Sequence, residues 1–167
     1  MEETLKKTIK FVAVFAAAAL AFGAAPAATA STPTKACLAL DTGGVDDKSF
    51  NASAWSGAQA AAKADKNVTV KYLAAAADAD YAPNIKKLVD EKCNIIIGVG
   101  FLINNAIVAA AKANPTVNFA IVDQDGEDHG ADGSVYPGTK FANLKPLQFS
   151  TNESAFQAGY VAAGVSK

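Results

Sequence analysis

The chain has 167 residues with 15 lysines, no arginine and 16 acidic residues, which leaves a net charge of −1. This balance excludes a typical nucleic-acid-binding protein, which uses a dense basic face and usually arginine. Hydrophobic residues make up 51% of the chain, too many for a disordered protein, and the length predicts one domain. One histidine and two cysteines are too few for a four-ligand structural zinc site. We predict no metal and no cofactor.

The first thirty residues have the pattern of a secretory signal peptide. Three lysines among the first ten residues precede the uncharged apolar run 11–25, and Ala28–Ala30 forms an A-x-A cleavage site. The run is shorter than the roughly 20 residues that a membrane anchor needs. We therefore expect cleavage after residue 30 and a mature chain outside the cytoplasm. Lipid attachment at Cys37 is a second interpretation, but Lys35 is a poor fit to a lipoprotein signal.

Along the mature chain, short apolar runs alternate with longer helical stretches. Strands are predicted at 36–41, 68–73, 94–99, 117–122 and 144–149, and helices at 51–64, 82–91, 102–113 and 154–165. Strands that are apolar on both faces and alternate with helices indicate an α/β fold with a doubly wound parallel sheet. The Gly- and Asp-rich segment 123–138 is predicted as a surface loop. Ligands of such sheets bind at the carboxyl ends of the strands.

The loop after the first predicted strand, DTGGVDDKSFN, carries the most chemistry. Phe50 next to Asp47 and Asn51 suits a flat ligand with polar edges, because the ring can stack while the polar groups bond the edge. The same residues also fit a helix-capping loop, with Ser49 or Asn51 as N-cap and Asp46 and Asp47 near the helix N-terminus. From residue chemistry alone, both interpretations stay open.

Two enzyme-like interpretations use the acidic residues. The carboxylates of this loop could hold Mg²⁺ or serve an acid-assisted hydrolase; they are Asp41, Asp46 and Asp47. The second polar loop could bind calcium or zinc through His129, Asp125, Asp128 and Asp132. No phosphate-binding G-x-x-x-x-G-K-[ST] and no G-x-S-x-G nucleophile motif accompanies either set. We therefore predict that the chain is not an enzyme.

The two cysteines are predicted to form a disulfide. Cys37 begins the first predicted strand, and Cys93 immediately precedes the third. In a sheet of order 2-1-3 these strands are neighbours, and their first residues would lie about 5 Å apart. Outside the cytoplasm such a pair is expected to be oxidised. Two buried free thiols are the alternative.

Four segments together resemble one known family, the basic membrane proteins. They are DTGGVDDKSFNASAW, DYAPNIKKLVDEKCNIIIGVGF, AAKANPTVNFAIVD and NLKPLQFSTNESAFQAGYVAA, and the likeness extends in order over residues 35–165. Members of this family are purine-nucleoside-receptor-type substrate-binding proteins of ABC importers, often lipid-anchored. The resemblance implies a periplasmic-binding-protein type I, flavodoxin-like lobe, in agreement with the predicted alternation of strands and helices.

The resemblance also implies a ligand site and the partners of the chain. The implied ligand-binding residues are Asp47, Phe50, Asn51, Trp55, Gly100, Phe101 and Asp123. Phe50 would stack on a purine, Asn51 and Asp123 would bond its edge, and Gly100 and Phe101 would line the cleft. The implied partners are a purine nucleoside and ABC permease subunits, at the periphery of the membrane and without nucleic acid.

Family members have a second lobe of similar size. By this resemblance, residues 31–151 are expected to form the first ligand-binding lobe, and residues 152–167 to begin a crossover helix into a second lobe that this sequence lacks. A non-functional truncated remnant is the remaining alternative.

Overall fold

The computed structural model describes residues 32–130, 135–136 and 141–166. The signal peptide predicted at residues 1–30 and the suggested metal ligand Asp132 lie outside them. Seven strands occur in this part of the chain: β1 (Thr34–Thr42), β2 (Val68–Ala75), β3 (Ile95–Val99), β4 (Asn118–Val122), β5 (Asp128–His129), β6 (Val135–Tyr136) and β7 (Leu144–Leu147). The four α-helices described are α1 (Phe50–Ala64), α2 (Tyr81–Asp90), α3 (Asn104–Ala113) and α4 (Thr151–Val165), and a short 3-10 helix (Asp78–Asp80) precedes α2.

The main sheet has five strands in the order β2-β1-β3-β4-β7, and all its neighbours are parallel. The α/β fold with a parallel sheet and flanking helices is therefore confirmed. Each strand of the main sheet is connected to the next parallel strand by a crossover, and the crossover from β2 to β3 passes over β1. Pro146 is tolerated in β7 because that strand is the sheet's edge, where a missing backbone N–H breaks no ladder.

Alternate residues of β1 face opposite sides of the sheet, as the strand period of two requires. Cys37 and Ala39 belong to the core on the side of α2 and α3. Leu38 and Leu40 belong to a second core cluster, which is covered by Trp55 and its neighbours from α1. Helices thus cover both faces, which explains why the central strands are apolar throughout.

A disulfide links Cys37 to Cys93, and their Cα atoms are 6.0 Å apart. Its placement differs from the expected one, because β1 begins three residues before Cys37, at Thr34. Cys37 therefore lies opposite Ile96 within the β1–β3 ladder, and Cys93 reaches it from the turn before β3. Both side chains are buried, so the bond belongs to the core.

Two further details differ from the sequence-based expectations. The segment after β4 is not wholly irregular, since β5 and β6 pair as a short antiparallel hairpin. The side chain of Ser49 forms no capping hydrogen bond to α1, whereas the Asp47 carboxylate accepts bonds from the backbone there. A carboxylate with two oxygens can accept several of the N–H groups that a helix start leaves unpaired.

Helix α4 begins at Thr151 and contains no buried residue. The rings of Phe156 and Tyr160 on this helix are 74% and 75% exposed. Among the described residues, none of the helices is long and apolar enough to cross a membrane.

Candidate functional site

The candidate site lies at the carboxyl edge of the sheet, where the loops after β1, β3, β4 and β7 meet. Backbone hydrogen bonds join the exits of β3, β4 and β7: Gly100 N donates to Val122 O at 3.2 Å, and Asp123 N donates to Leu147 O at 3.0 Å. Asp123 has a φ of 66°, so the chain turns sharply as it leaves β4. The ends of these strands are therefore held in fixed positions, and the side chains of the loops extend from them.

An aromatic pair, Phe50 and Phe149, lies at this carboxyl edge. Phe50 is 39% exposed, and its ring centroid lies 5.5 Å from that of Phe149, with an angle of 49° between the planes. Phe149 follows β7 and is also exposed. Phe149 lies beyond β7, which ends at Leu147, and not inside the strand predicted at 144–149, so it was not among the predicted site residues. The signal that could have found it is an aromatic residue just beyond the carboxyl end of a strand. Phe101, after β3, is a further exposed ring at this edge.

A buried polar contact supports the loop beneath Phe50. Asn51 is fully buried, and its Nδ2 donates to Asp41 Oδ1 at 3.0 Å. The Oδ1 of Asn51 has no hydrogen-bond partner among the described residues. Direct contact of Asn51 with a ligand therefore stays a prediction, and it requires this amide to be uncovered. In the structure its side chain holds the start of α1 against the end of β1.

The Asp41 carboxylate lies against the backbone of Gly100. A Cβ at Gly100 would stand 1.8 Å from Asp41 Oδ2, and Gly100 has a φ of +98°. Burial raises the pKa of Asp41 above its ordinary value; the bond from Asn51 partly offsets this, and the nearby Asp47 charge adds to it. Gly100 is needed here both for its backbone conformation and for the space that it leaves.

Asp47 organises the N-terminus of α1. Its Oδ1 accepts bonds from Ser49 N at 2.8 Å and Ala52 N at 2.9 Å, and its Oδ2 accepts one from Asn51 N at 3.0 Å. The bond from Ala52 and its two companions lower the pKa of Asp47 against a smaller effect of desolvation. Asp47 thus serves the helix, while its contact with a ligand remains a prediction.

Trp55 lies one turn further along α1, against the sheet. Its ring makes an edge contact with Tyr72 of β2 at a centroid distance of 4.9 Å, within the second core cluster. This packing gives Trp55 a place in the core, and its contact with a ligand remains a prediction. Of the three carboxylates considered for a hydrolase, Asp41 and Asp47 are engaged in the contacts above, and Asp46 is exposed.

The loop after β4 folds back on α3. His129 Nε2 lies 2.8 Å from Asp125 Oδ1. Burial would raise the pKa of Asp125, but the hydrogen bonds from His129 and from Glu127 N outweigh it, so the pKa is lowered. Among residues 32–130, 135–136 and 141–166, no group of three His, Cys, Asp or Glu side chains could hold a metal ion.

The parallel α/β sheet, covered by helices on both faces and open at its carboxyl edge, is consistent with one lobe of a periplasmic binding protein. The sequence profile of the family "ABC transporter substrate-binding protein PnrA-like" matches residues 35–167. The chain belongs to this family, as its resemblance to the basic membrane proteins predicted. The description of the family is that of a substrate-binding protein of ABC transporters.

The chain is also similar in sequence to named proteins. The chain is 36% identical over 139 residues to the ABC transporter nucleoside-binding protein BmpA of Lactococcus lactis, covering 81% of this chain and 36% of that protein. It is 34% identical over 134 residues to the CD4+ T-cell-stimulating antigen of Listeria monocytogenes, covering 78% and 34%. The chain thus spans about a third of the length of the curated relatives it matches.

Solved structures show the same fold. A solute-binding protein of an ABC transporter system from Aeropyrum pernix superposes with a TM-score of 0.64 at 24% identity, over 78% of this chain and 32% of that one. A fragment of a lipoprotein from Peptoclostridium difficile superposes with a TM-score of 0.55 at 22% identity, over 80% of this chain and 99% of that one.

Proposed function

We propose that this chain supplies the first ligand-binding lobe of an extracytoplasmic solute-binding protein, which captures a purine nucleoside for an ABC permease. It carries out capture and delivery and breaks no bond in its ligand. The signal-peptide pattern supports the location outside the cytoplasm. The printed name of the Lactococcus lactis relative, a nucleoside-binding protein, supports the class of ligand.

The observation that carries the proposal is the exposed ring of Phe50 at the carboxyl edge. A purine is flat and aromatic, so it gains from offset or tilted contact with a phenyl ring, at about 0.5–1.5 kcal/mol beyond the buried area. Phe149 stands 5.5 Å away and offers a second aromatic surface. Asp123, at the end of β4, supplies a carboxylate that can accept hydrogen bonds from the N–H groups of a purine edge.

Asp41, Asn51 and Asp47 act in this proposal by positioning. Asn51 anchors the residue after Phe50 to the end of β1, and Asp47 holds the first turn of α1. Together they fix the backbone on both sides of the stacking ring. A second lobe would close over the ligand from the opposite side, and a single lobe therefore binds weakly.

The test is titration of the chain with inosine, guanosine and adenosine at millimolar concentration, followed by ligand-detected saturation-transfer NMR. We expect transfer to the purine protons, and its loss in Phe50→Ala. The control is Phe156→Ala, which removes a phenyl ring that is 74% exposed, against 39% for Phe50, from α4, outside the site. Absence of transfer from all three nucleosides, or equal loss in both variants, would contradict the proposal.

A further inference from the structure

The amino end of the sheet, where its strands begin, lies opposite the candidate site and is basic. In a parallel α/β sheet, the helices that connect the strands run back and finish at this end. The exposed lysines in the last turns of these helices or in the turns that follow are Lys63, Lys66, Lys87, Lys92 and Lys112. Within the part of the chain that the structure describes, none of them forms an ion pair.

Two further lysines share one carboxylate at this end. Glu91 Oε2 lies 2.7 Å from Lys71 Nζ and 3.3 Å from Lys35 Nζ, and Lys35 Nζ also donates to Glu91 O at 3.0 Å. The bond from Lys71 lowers the pKa of Glu91 against a smaller effect of desolvation, and the bond from Lys35 adds to this. Because two ammonium groups meet one carboxylate, this cluster keeps a net positive charge.

The carboxyl edge of the sheet has the opposite charge. Its loops carry Lys48 and an excess of carboxylates, which include Asp46, Asp47, Asp78, Asp80, Asp123 and Asp125. The net charge of the whole chain is only −1, so its composition hides this division. Charge separated in this way favours contact with a charged surface in one orientation.

Helix stability explains only part of the basic end. Lysines in the last turn of a helix are favoured by its dipole, which accounts for Lys63, Lys87 and Lys112. Lys66 and Lys92 lie beyond the helices. Lys92 also has a φ of 59°, a conformation that glycine adopts with less strain. The backbone alone therefore favours another residue at this turn, and the lysine charge needs a further reason.

The chain enters the fold at this basic end, because β1 begins at Thr34, shortly after the expected signal cleavage site. Lipid attachment at Cys37, the second interpretation of this region, is incompatible with the fold, because the Cys37 sulfur is bonded to Cys93 and buried. A contact between this end and a membrane would therefore use its surface charges and not a lipid on Cys37.

We propose that the basic amino end binds the anionic headgroups of a phospholipid membrane, with the acidic ligand edge turned away from it. Lysine ammonium groups are compact point charges and suit a diffuse layer of headgroup phosphates, whereas ordered recognition of nucleic-acid phosphates usually uses arginine. The inference goes beyond the proposed function, and it does not depend on which solute the chain binds.

The experiment measures co-sedimentation with vesicles of phosphatidylcholine alone or with about one third phosphatidylglycerol. It uses the chain without its first thirty residues, the form expected after export, since residues 33–167 form a compact unit of their own. We expect binding to the anionic vesicles at low ionic strength and release at about 0.5 M salt, where the Debye length falls to about 4 Å. Equal binding to both kinds of vesicle, or no binding to either, would overturn the inference.

Paired variants separate the basic end from net charge. Lys66→Gln together with Lys92→Gln should weaken binding to the anionic vesicles about 25-fold, or about fivefold for each lysine. The matched control is Lys48→Gln together with Lys145→Gln, which removes the same charge elsewhere; Lys48 follows β1, and Lys145 lines a cavity with Asp125. Its effect should be about twofold or less. Equal weakening in the two double variants would contradict a role of the amino end.

Nitrogen-15 NMR with a spin-labelled lipid in the anionic vesicles tests the orientation. We expect broadening of the amide signals of Lys66 and Lys92, and sharp signals from Asp46 and Gly126 at the carboxyl edge. Broadening at the carboxyl edge instead would overturn the proposed orientation. Tighter binding to a DNA duplex than to the anionic vesicles, at equal phosphate concentration, would assign the surface to nucleic acid and reject the membrane.

Discussion

Replacing Gly100 by alanine tests how the candidate site is supported. The new Cβ would stand 1.8 Å from Asp41 Oδ2 and 2.4 Å from Asp41 Cγ, so the carboxylate must move. Its movement breaks the 3.0 Å bond from Asn51, which is worth about 1.5–3 kcal/mol for a charged acceptor. The positive φ adds about 1–2 kcal/mol of strain for an L-residue.

We therefore expect Gly100→Ala to lower the free energy of unfolding by about 2.5–5 kcal/mol, a large part of the 5–15 kcal/mol typical of a domain. Urea unfolding followed by circular dichroism measures this loss. Gly44→Ala is the matched control, because Gly44 also has a positive φ but no atom within 4 Å of an added Cβ. Its cost should be limited to the strain of about 1–2 kcal/mol.

A double-mutant cycle locates the cause. In an Asp41→Ala background the clashing carboxylate is absent, so adding Gly100→Ala should cost no more than Gly44→Ala costs alone. The reasoning is refuted if Gly100→Ala is as mild as Gly44→Ala, or if its cost is the same with and without the Asp41 side chain.

Three further predictions concern the cap, the disulfide and the aromatic pair. Since the folded pKa of Asp47 lies below the ordinary 3.8, its stabilising effect is present above that pH and lost as the pH falls further. Asp47→Asn should lower the free energy of unfolding at pH 7, measured by urea titration, and should make that free energy fall less as the pH is lowered. Asp46→Asn, at an exposed carboxylate, should have neither effect. Replacing both Cys37 and Cys93 by serine should lower the free energy of unfolding by about 2–4 kcal/mol, because the disulfide closes a separation of 56 residues. A loss below about 1 kcal/mol in the same urea titration would contradict this. Phe149→Ala should weaken inosine binding severalfold in NMR titrations while the exposed phenylalanine of α4 remains dispensable, and an unchanged affinity would remove Phe149 from the site.

The elements of the fold were predictable because the pattern is local. Leu38 and Leu40 alternate with Cys37 and Ala39, and both sets are apolar, which indicates a strand covered on two faces. The same alternation of strands and helices predicted the parallel order. The start of β1 at Thr34 was not predictable, because its first residues, Thr34 and Lys35, are polar and join the strand through pairing with β2 and bonds to Asn94, which are distant in sequence.

The site was predictable only in part. Phe50 was found because it follows a glycine turn at a strand's end, a pattern visible in the sequence. Asn51 is buried in contact with Asp41, and Asp41 in turn lies against Gly100, which is distant in sequence, so no local pattern shows this arrangement. The role of Trp55 likewise depends on Tyr72, in the neighbouring strand.

The cystine between β1 and β3 has a consequence for how this sheet assembles. The two strands are far apart in the chain and must find one alignment among several. A slip by one residue would turn Cys37 and Ala39 toward α1 and Leu38 toward α2. Once the disulfide between Cys37 and Cys93 has formed, β1 and β3 can no longer pair in the shifted register. The loops at the carboxyl edge of the sheet then extend from two central strands that are paired in the correct register.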